Sequence, residues 1–152
     1  MKNYFSKLES VYIQGRNSRI ARVSVYDINF YMKAAVKSGK QLREICGILL
    51  KDRGCIRLIQ VPNQSKKLCS FQMSVISQTI ARRRHIYPQS SMVGTFHSHP
   101  YGMIYPGLSD VEGGIHGKLM IIFALNVQKY GMWQVYKGER HKVKRVILCK
   151  SR

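Results

Sequence analysis

Long apolar runs are absent from this sequence. The longest, Leu119 to Leu125, spans seven residues, whereas a helix needs about 20 to cross a membrane. The first ten residues carry charge from Lys2 to Glu9 and hold no apolar stretch, so no secretory signal is read there. Cys46, Cys55, Cys69 and Cys149 form no C-x-x-C pair, which excludes a zinc ribbon. All four are therefore expected as reduced thiols in a cytoplasmic protein, with Cys46, inside an apolar run, as a core residue. Asn63-Gln64-Ser65 is a glycosylation triplet without meaning in such a protein. There is no Walker loop, GxGxxG, GxSxG or RNP pattern, and no internal repeat, linker or low-complexity tail. Carboxylates are few, 7 Asp and Glu against 26 Lys and Arg, for a net charge of +19.

What is present suits one globular domain. A chain of 152 residues is 45% hydrophobic and 22% charged, enough to build a core and to exclude disorder as a default. The positive surface attracts acidic partners and speeds their encounter; an acidic protein, nucleic acid and anionic lipid all fit that description. The densest basic cluster is Arg82-Arg83-Arg84-His85, followed by Lys142, Lys144, Arg145, Lys150 and Arg152. Residues 1–18 read as a polar extension, and residues 19–152 as the domain.

Alternation predicts a strand over Arg19–Val25. Asp27 is placed to cap a helix, and Ile28, Tyr31, Met32, Ala35 and Val36 behind it recur at helical spacing until Ser38-Gly39-Lys40 stops the pattern. Glu44–Lys51 reads as a buried strand. Asp52-Arg53-Gly54 turns it into a second arm, Cys55–Val61. A helix is predicted over Ser74–His85, with Val75, Ile76 and Ile80 inward and the arginines outward. Strands follow at Ser91–His99 and Lys118–Asn126, with a short helix over Asp110–His116 between them. Gly131–Lys137 and Lys142–Cys149 read as a final hairpin around Gly138-Glu139-Arg140. Two or three helices with six or seven strands make an α/β or α+β sandwich around a mixed sheet.

The chemically informative stretch is Gly94-Thr-Phe-His97-Ser-His99-Pro100, followed by Ser109-Asp110. Histidines at i and i+2 of a strand face the same way, roughly 6.5 Å apart along the chain, which suits two imidazoles meeting at one metal. On that spacing alone, two surface histidines are the competing account. Asp110 can add an oxygen ligand, and two His with one carboxylate leave a tetrahedral position open for water, as in a catalytic zinc site. Such a site also needs a proton acceptor. Of the few carboxylates, Glu44 is the most oddly placed, because a carboxylate entering a buried strand is costly unless paired or functional. His85, His116 and His141 read as surface residues.

In these residues the sequence resembles the JAMM (MPN+) zinc metalloproteases: an upstream Glu, then His-Ser-His-Pro, then a downstream Asp. Phe71-Gln-Met-Ser74, Lys118–Leu125 and Gly131-Met-Trp133 fall in the same order, and the resemblance spans about Arg19 to Cys149. It implies a cytidine-deaminase-like MPN/JAB α/β sandwich holding one zinc ion per chain. His97, His99 and Asp110 would be ligands and Glu44 the general acid/base. The implied activity is hydrolysis of an amide or isopeptide bond at the C-terminus of a ubiquitin-like or sulfur-carrier protein. One position departs from the pattern. With Asp110 as ligand, the family's serine, which helps stabilise the oxyanion, falls on Gly107, and Ser109 is the candidate replacement. A rival register makes Glu112 the ligand and Ser109 the serine; in the preferred one, Ser109 and Glu112 form a capping box. The departure and the charge together frame the alternative, a catalytically weak MPN-like domain binding nucleic acid or a protein through its basic surface.

Overall fold

The computed structural model describes residues 21–84, 91–102, 104–112, 118–136, 139–142 and 146–150. The expected extension, residues 1–18, lies outside them, as do His85 and His116. Among the described residues three helices and eight strands follow one another: β1 (Ala21–Ser24), α1 (Val25–Gly39), β2 (Cys46–Asp52), β3 (Cys55–Val61), α2 (Val75–Arg84), β4 (Ser91–His99), α3 (Leu108–Glu112), β5 (Leu119–Ala124), β6 (Lys129–Tyr136), β7 (Glu139–Lys142) and β8 (Val146–Cys149). All strands belong to one mixed sheet of order β7-β6-β5-β4-β2-β3-β1-β8. No helix among the described residues is long and apolar enough to cross a membrane.

Strand alternation sorts the side chains into two layers. Leu49, Leu58, Phe96, Ile121 and Phe123 face α1 and pack with its Ile28 and Ala35. Each fully buried aromatic or branched side chain there contributes on the order of 1.5–3 kcal/mol. On the opposite face Ile48, Leu50 and Val61 receive Ala81 of α2, and Met120, Ile122 and Trp133 form a further patch. His97 and His99, in odd register with Phe96, open onto this second face. The β2–β3 turn is tight because Arg53 and Gly54 both take positive φ, 47° and 80°, as two-residue hairpin turns require.

Several sequence expectations change. The cap of α1 is Ser24, whose hydroxyl accepts from the Asp27 N–H at 3.3 Å. Asp27 instead accepts from Arg57 Nε at 2.7 Å and from the Leu58 N–H at 2.9 Å, bolting α1 to β3. Helix α2 (Val75–Arg84) turns its arginines outward as expected, but not its aliphatic residues inward. Val75 and Ile76 are 77% and 73% exposed and Ile80 is also exposed, because the small Ala81 side is the one that approaches the sheet. Helix α3 starts two residues before the expected Asp110. The expected second arm, 142–149, divides: β7 pairs with β6, while β8 crosses to the far edge and runs parallel to β1. That crossing brings Cys149 to Cys55, Cα atoms 6.6 Å apart, in a disulfide across the end of β1. The expectation of four reduced thiols is thereby corrected; Cys46, buried as expected, and Cys69 are the free cysteines.

Candidate metal centre

The sheet supplies two of the three donors. His97 lies between Cys46 of β2 and Ile122 of β5, and His99 pairs with Ala124. His97 is fully buried and His99 partly so. Their Nε2 atoms are 2.9 Å apart. The third donor arrives from α3: Asp110 Oδ1 is 3.3 Å from His97 Nε2, and Oδ2 is 3.4 Å from His99 Nε2. Among the described residues these three form a group whose donor atoms all lie within 4.8 Å of one another. A tetrahedral zinc ion with bonds near 2.0–2.1 Å separates its donors by about 3.4 Å, so the donor set and spacing fit zinc. His97 Nδ1 is buried without a hydrogen-bond partner, which leaves Nε2, aimed at the cluster, as the working nitrogen of a buried imidazole.

The electrostatics keep the donors in ligating form. Burial is the largest influence on His97 and, against the pull of Asp110, holds its imidazole below the ordinary range and therefore neutral. Burial alone would raise Asp110. Hydrogen bonds with His97 and His99 and from the Gly107 N–H outweigh it and hold the carboxyl far below the usual carboxylate range.

Glu44 stands in the segment leading into β2, not in the strand itself as the sequence suggested. Only 7% of it is exposed. Burial pushes its carboxyl up from 4.5 to about 7, with His99 opposing and Asp110 adding to the rise. Its backbone is pinned on both sides. The Glu44 carbonyl accepts from Asn63 Nδ2 at 2.9 Å. The next residue, Ile45, donates its N–H to Ser98 Oγ at 2.9 Å and accepts from the Ser98 N–H at 3.0 Å. The serine between the two histidines thus ties the Glu44 segment to the donor strand.

Two residues beside the centre had no legible role in the sequence. Asn63 Nδ2 also donates to Ser70, and Oδ1 accepts the N–H groups of Ser65 and Gln72, closing the loop that carries Phe71. The Phe71 ring then stacks on His97, centroids 4.5 Å apart. Neither partnership leaves a local signal, since Asn63 reads only as a glycosylation triplet. Gly102 is required by space: a Cβ there would lie 2.5 Å from His99 Cβ and 2.7 Å from its Nδ1.

Around Gly107 the geometry is specific. Gly107 precedes α3, and its N–H donates to Asp110 Oδ2 at 2.8 Å, which is one half of a capping box with Asp110 three residues on. The Gly107 N–H is therefore committed to the donor residue. Ser109 is exposed inside α3, so the Ser109–Glu112 capping box expected from sequence does not start this helix. The side chain of Glu112 lies outside the described residues. A Cβ at Gly107 would meet only Asp110 Oδ2, at 3.5 Å. Gly107→Ser should therefore fit, complete the capping box for roughly a few tenths of a kcal/mol, and leave metal binding intact. Hydrolysis should rise, by up to about 10²-fold if the hydroxyl supplies an oxyanion donor. Loss of metal or of activity in that variant, measured side by side with the parent, would refute this placement.

No protein-family model and no curated protein matches the sequence. Solved structures do resemble the fold. A protein of Desulfitobacterium hafniense is 20% identical, with a TM-score of 0.71 over 87% of this chain and 94% of its own. A protein of Salinibacter ruber is 13% identical, with a TM-score of 0.57 over 84% of this chain and 91% of its own. A JAB1/MPN domain protein of Archaeoglobus fulgidus is 19% identical, with a TM-score of 0.55 over 84% of this chain and 98% of its own. At these identities the likeness is one of architecture: the chain has a mixed α/β fold of the JAB1/MPN type.

Proposed function

We propose that this protein is a JAMM-type zinc metallopeptidase that hydrolyses an amide bond at the C-terminus of a ubiquitin-like or sulfur-carrier protein, by processing or deconjugation. The observation that carries the reading is the meeting of His97, His99 and Asp110 beside a buried carboxyl, Glu44, whose pKa is raised to about 7. His97, His99 and Asp110 would hold the zinc ion, which when bound supplies Lewis-acid polarisation and a more acidic water. Glu44 accepts the proton of the attacking water and returns it to the leaving amine. A group near neutrality serves both transfers at physiological pH. Asn63 and Ser98 hold the Glu44 backbone still while it does so.

The surface supports a protein partner over a nucleic acid. Val75, Ile76 and Ile80 are exposed on α2, and Arg82, Arg83 and Arg84 are exposed in its last turn. Non-specific binding to phosphate backbones is essentially electrostatic, whereas an aliphatic face edged by arginines suits an acidic protein with an apolar patch. A cytoplasmic setting belongs to the same proposal. The Cys55–Cys149 disulfide pulls the other way, because such bonds persist mainly in oxidising compartments.

The test is a cleavage assay on C-terminal fusions of ubiquitin-like and sulfur-carrier proteins with zinc-loaded enzyme, repeated from low to high salt. Cleavage should occur, and kcat/KM should fall with salt, since exposed charges are screened over about 8–10 Å at physiological ionic strength. Non-specific binding of duplex DNA is expected as well. Full zinc occupancy without cleavage of any fusion, together with tight and sequence-selective nucleic-acid binding, would favour the second reading. That reading is a catalytically weak MPN-like binding module, which Gly107 and the +19 charge recommend.

A further inference from the structure

Asp110 is the one donor that the sheet does not place. It follows His99 by eleven positions, on a helix of five residues, and a free connection of that length would let it wander. The connection is held. Behind His99 the chain crosses the second face of the sheet, and the Ile104 carbonyl accepts a hydrogen bond from Trp133 Nε1 at 2.7 Å. Tyr105 packs its ring against the indole, centroids 5.1 Å apart, and Pro106 is buried. The next residue is Gly107, whose N–H holds Asp110 Oδ2.

The anchor is built into the sheet register. His97 pairs with Ile122, and Ile122 pairs with Gly131. Gly131 therefore stands in the same row as His97, two strands away, roughly 9.5 Å at the usual strand spacing. Trp133 is two residues further along β6 and faces the same side. It is 4% exposed, with Met120 and Ile122 beside it. The glycine is needed because a Cβ at 131 would lie 2.8 Å from the Ile104 carbonyl oxygen and 3.3 Å from Ile104 Cβ. The segment thus lies flat over a bare spot on β6 and is hooked by the indole N–H just beyond it.

We propose that Trp133 is a positioning residue for the metal centre. Through Ile104 it fixes the residues from Ile104 to Gly107, and so holds Asp110 against His97 and His99. The proposal rests on reading that cluster as a metal site. A half-buried carbonyl left without its donor is costly; in variants lacking the N–H the segment lifts to find water, and Asp110 moves with it.

The experiment is a zinc titration of the full chain with a competing chelator, independent of any hydrolysis. Trp133→Phe keeps an aromatic ring and removes the N–H; it should weaken zinc binding about five- to tenfold, the loss of one half-buried hydrogen bond. Gly131→Ala keeps the indole N–H in the chain but crowds both ends of the hydrogen bond, since the added Cβ would lie 2.8 Å from the Ile104 carbonyl oxygen and 2.8 Å from Trp133 Nε1, and should weaken binding by at least as much. It also serves if Trp133→Phe melts too low to titrate. Met120→Ala loosens the same apolar patch without touching Ile104, and should lower the melting temperature yet leave zinc affinity within twofold. Trp133 is the sole tryptophan of the chain, so its emission should shift as zinc binds to the parent protein. Parental zinc affinity in both Trp133→Phe and Gly131→Ala would overturn the proposal, as would an equal loss in Met120→Ala. Failure of the parent itself to bind zinc would overturn the metal-site reading, and this inference with it.

Discussion

Glu44→Gln should retain zinc, lose hydrolysis and, without metal, make the fold more stable above neutrality. The amide keeps the shape of the carboxyl but cannot accept the water's proton, so turnover should fall by about 10²–10⁴-fold, the usual range for a general base. The stability effect has a definite sign. The Glu44 carboxyl is raised from 4.5 to about 7 by burial in the folded chain. The folded state therefore binds the proton more tightly than the unfolded state does. The stability this proton contributes is complete below about pH 4.5 and is lost as pH rises through 7. At pH 8 the parent pays for a buried charge that glutamine does not carry, and the variant should be more stable by on the order of 2 kcal/mol. At pH 4 the two should melt alike. Thermal melts of metal-free parent and variant across that range, paired with turnover of the zinc-loaded forms, check both halves. Near-parental turnover would make Glu44 a structural residue and remove the mechanism; identical melts at both pH values would show that its burial carries no penalty.

Removal of the donors should have the other large effect. The parent should bind one zinc per chain, and the His97→Ala, His99→Ala double variant none. Asp110→Ala should weaken zinc by about 100-fold or more, since it removes an anionic ligand that must be deprotonated to bind and that the chain already keeps ionised. Glu112→Ala should leave affinity unchanged. Both predictions follow from the same contacts, Asp110 Oδ1 and Oδ2 at 3.3 and 3.4 Å from the two Nε2 atoms. Metal analysis with chelator competition measures all four proteins. Zinc lost in Glu112→Ala and kept in Asp110→Ala would transfer the ligand role and restore Ser109 as the family serine.

Much of the site was legible because its key spacings are local. A two-residue period along a strand fixes where two side chains point whatever surrounds it, so His97 and His99 could be put on one face from Gly94–Pro100 alone. The same holds for the hairpin at Arg53-Gly54, where a tight turn needs positive φ, and for the runs that became β2, β3 and β5. Asp110 could be named as a possible oxygen ligand, and the resemblance set it above Glu112. Its placement depends on Trp133 and Gly131, two strands from His97, and no pattern between residues 99 and 110 mentions them.

Chain-local physics, alternation, helical period, turn chemistry and charge count, determined by itself a mixed α/β architecture, a strongly basic composition, a His-x-His strand and a glutamate at the entry of an apolar run. Tertiary structure decided what depends on neighbours distant in the chain. It turned the aliphatic side of α2 outward, because the sheet below accepts only the small Ala81 face. It sent β8 past β7 to the far edge, where Cys149 meets Cys55. It gave Asn63 the four hydrogen bonds that tie Glu44 to the Phe71 loop. Each of these outcomes turns on which strands become neighbours. A strand's hydrophobic pattern records that it will be covered, and on which face, but not by what, because the burial free energy of an apolar side chain is non-directional and the same against any apolar partner.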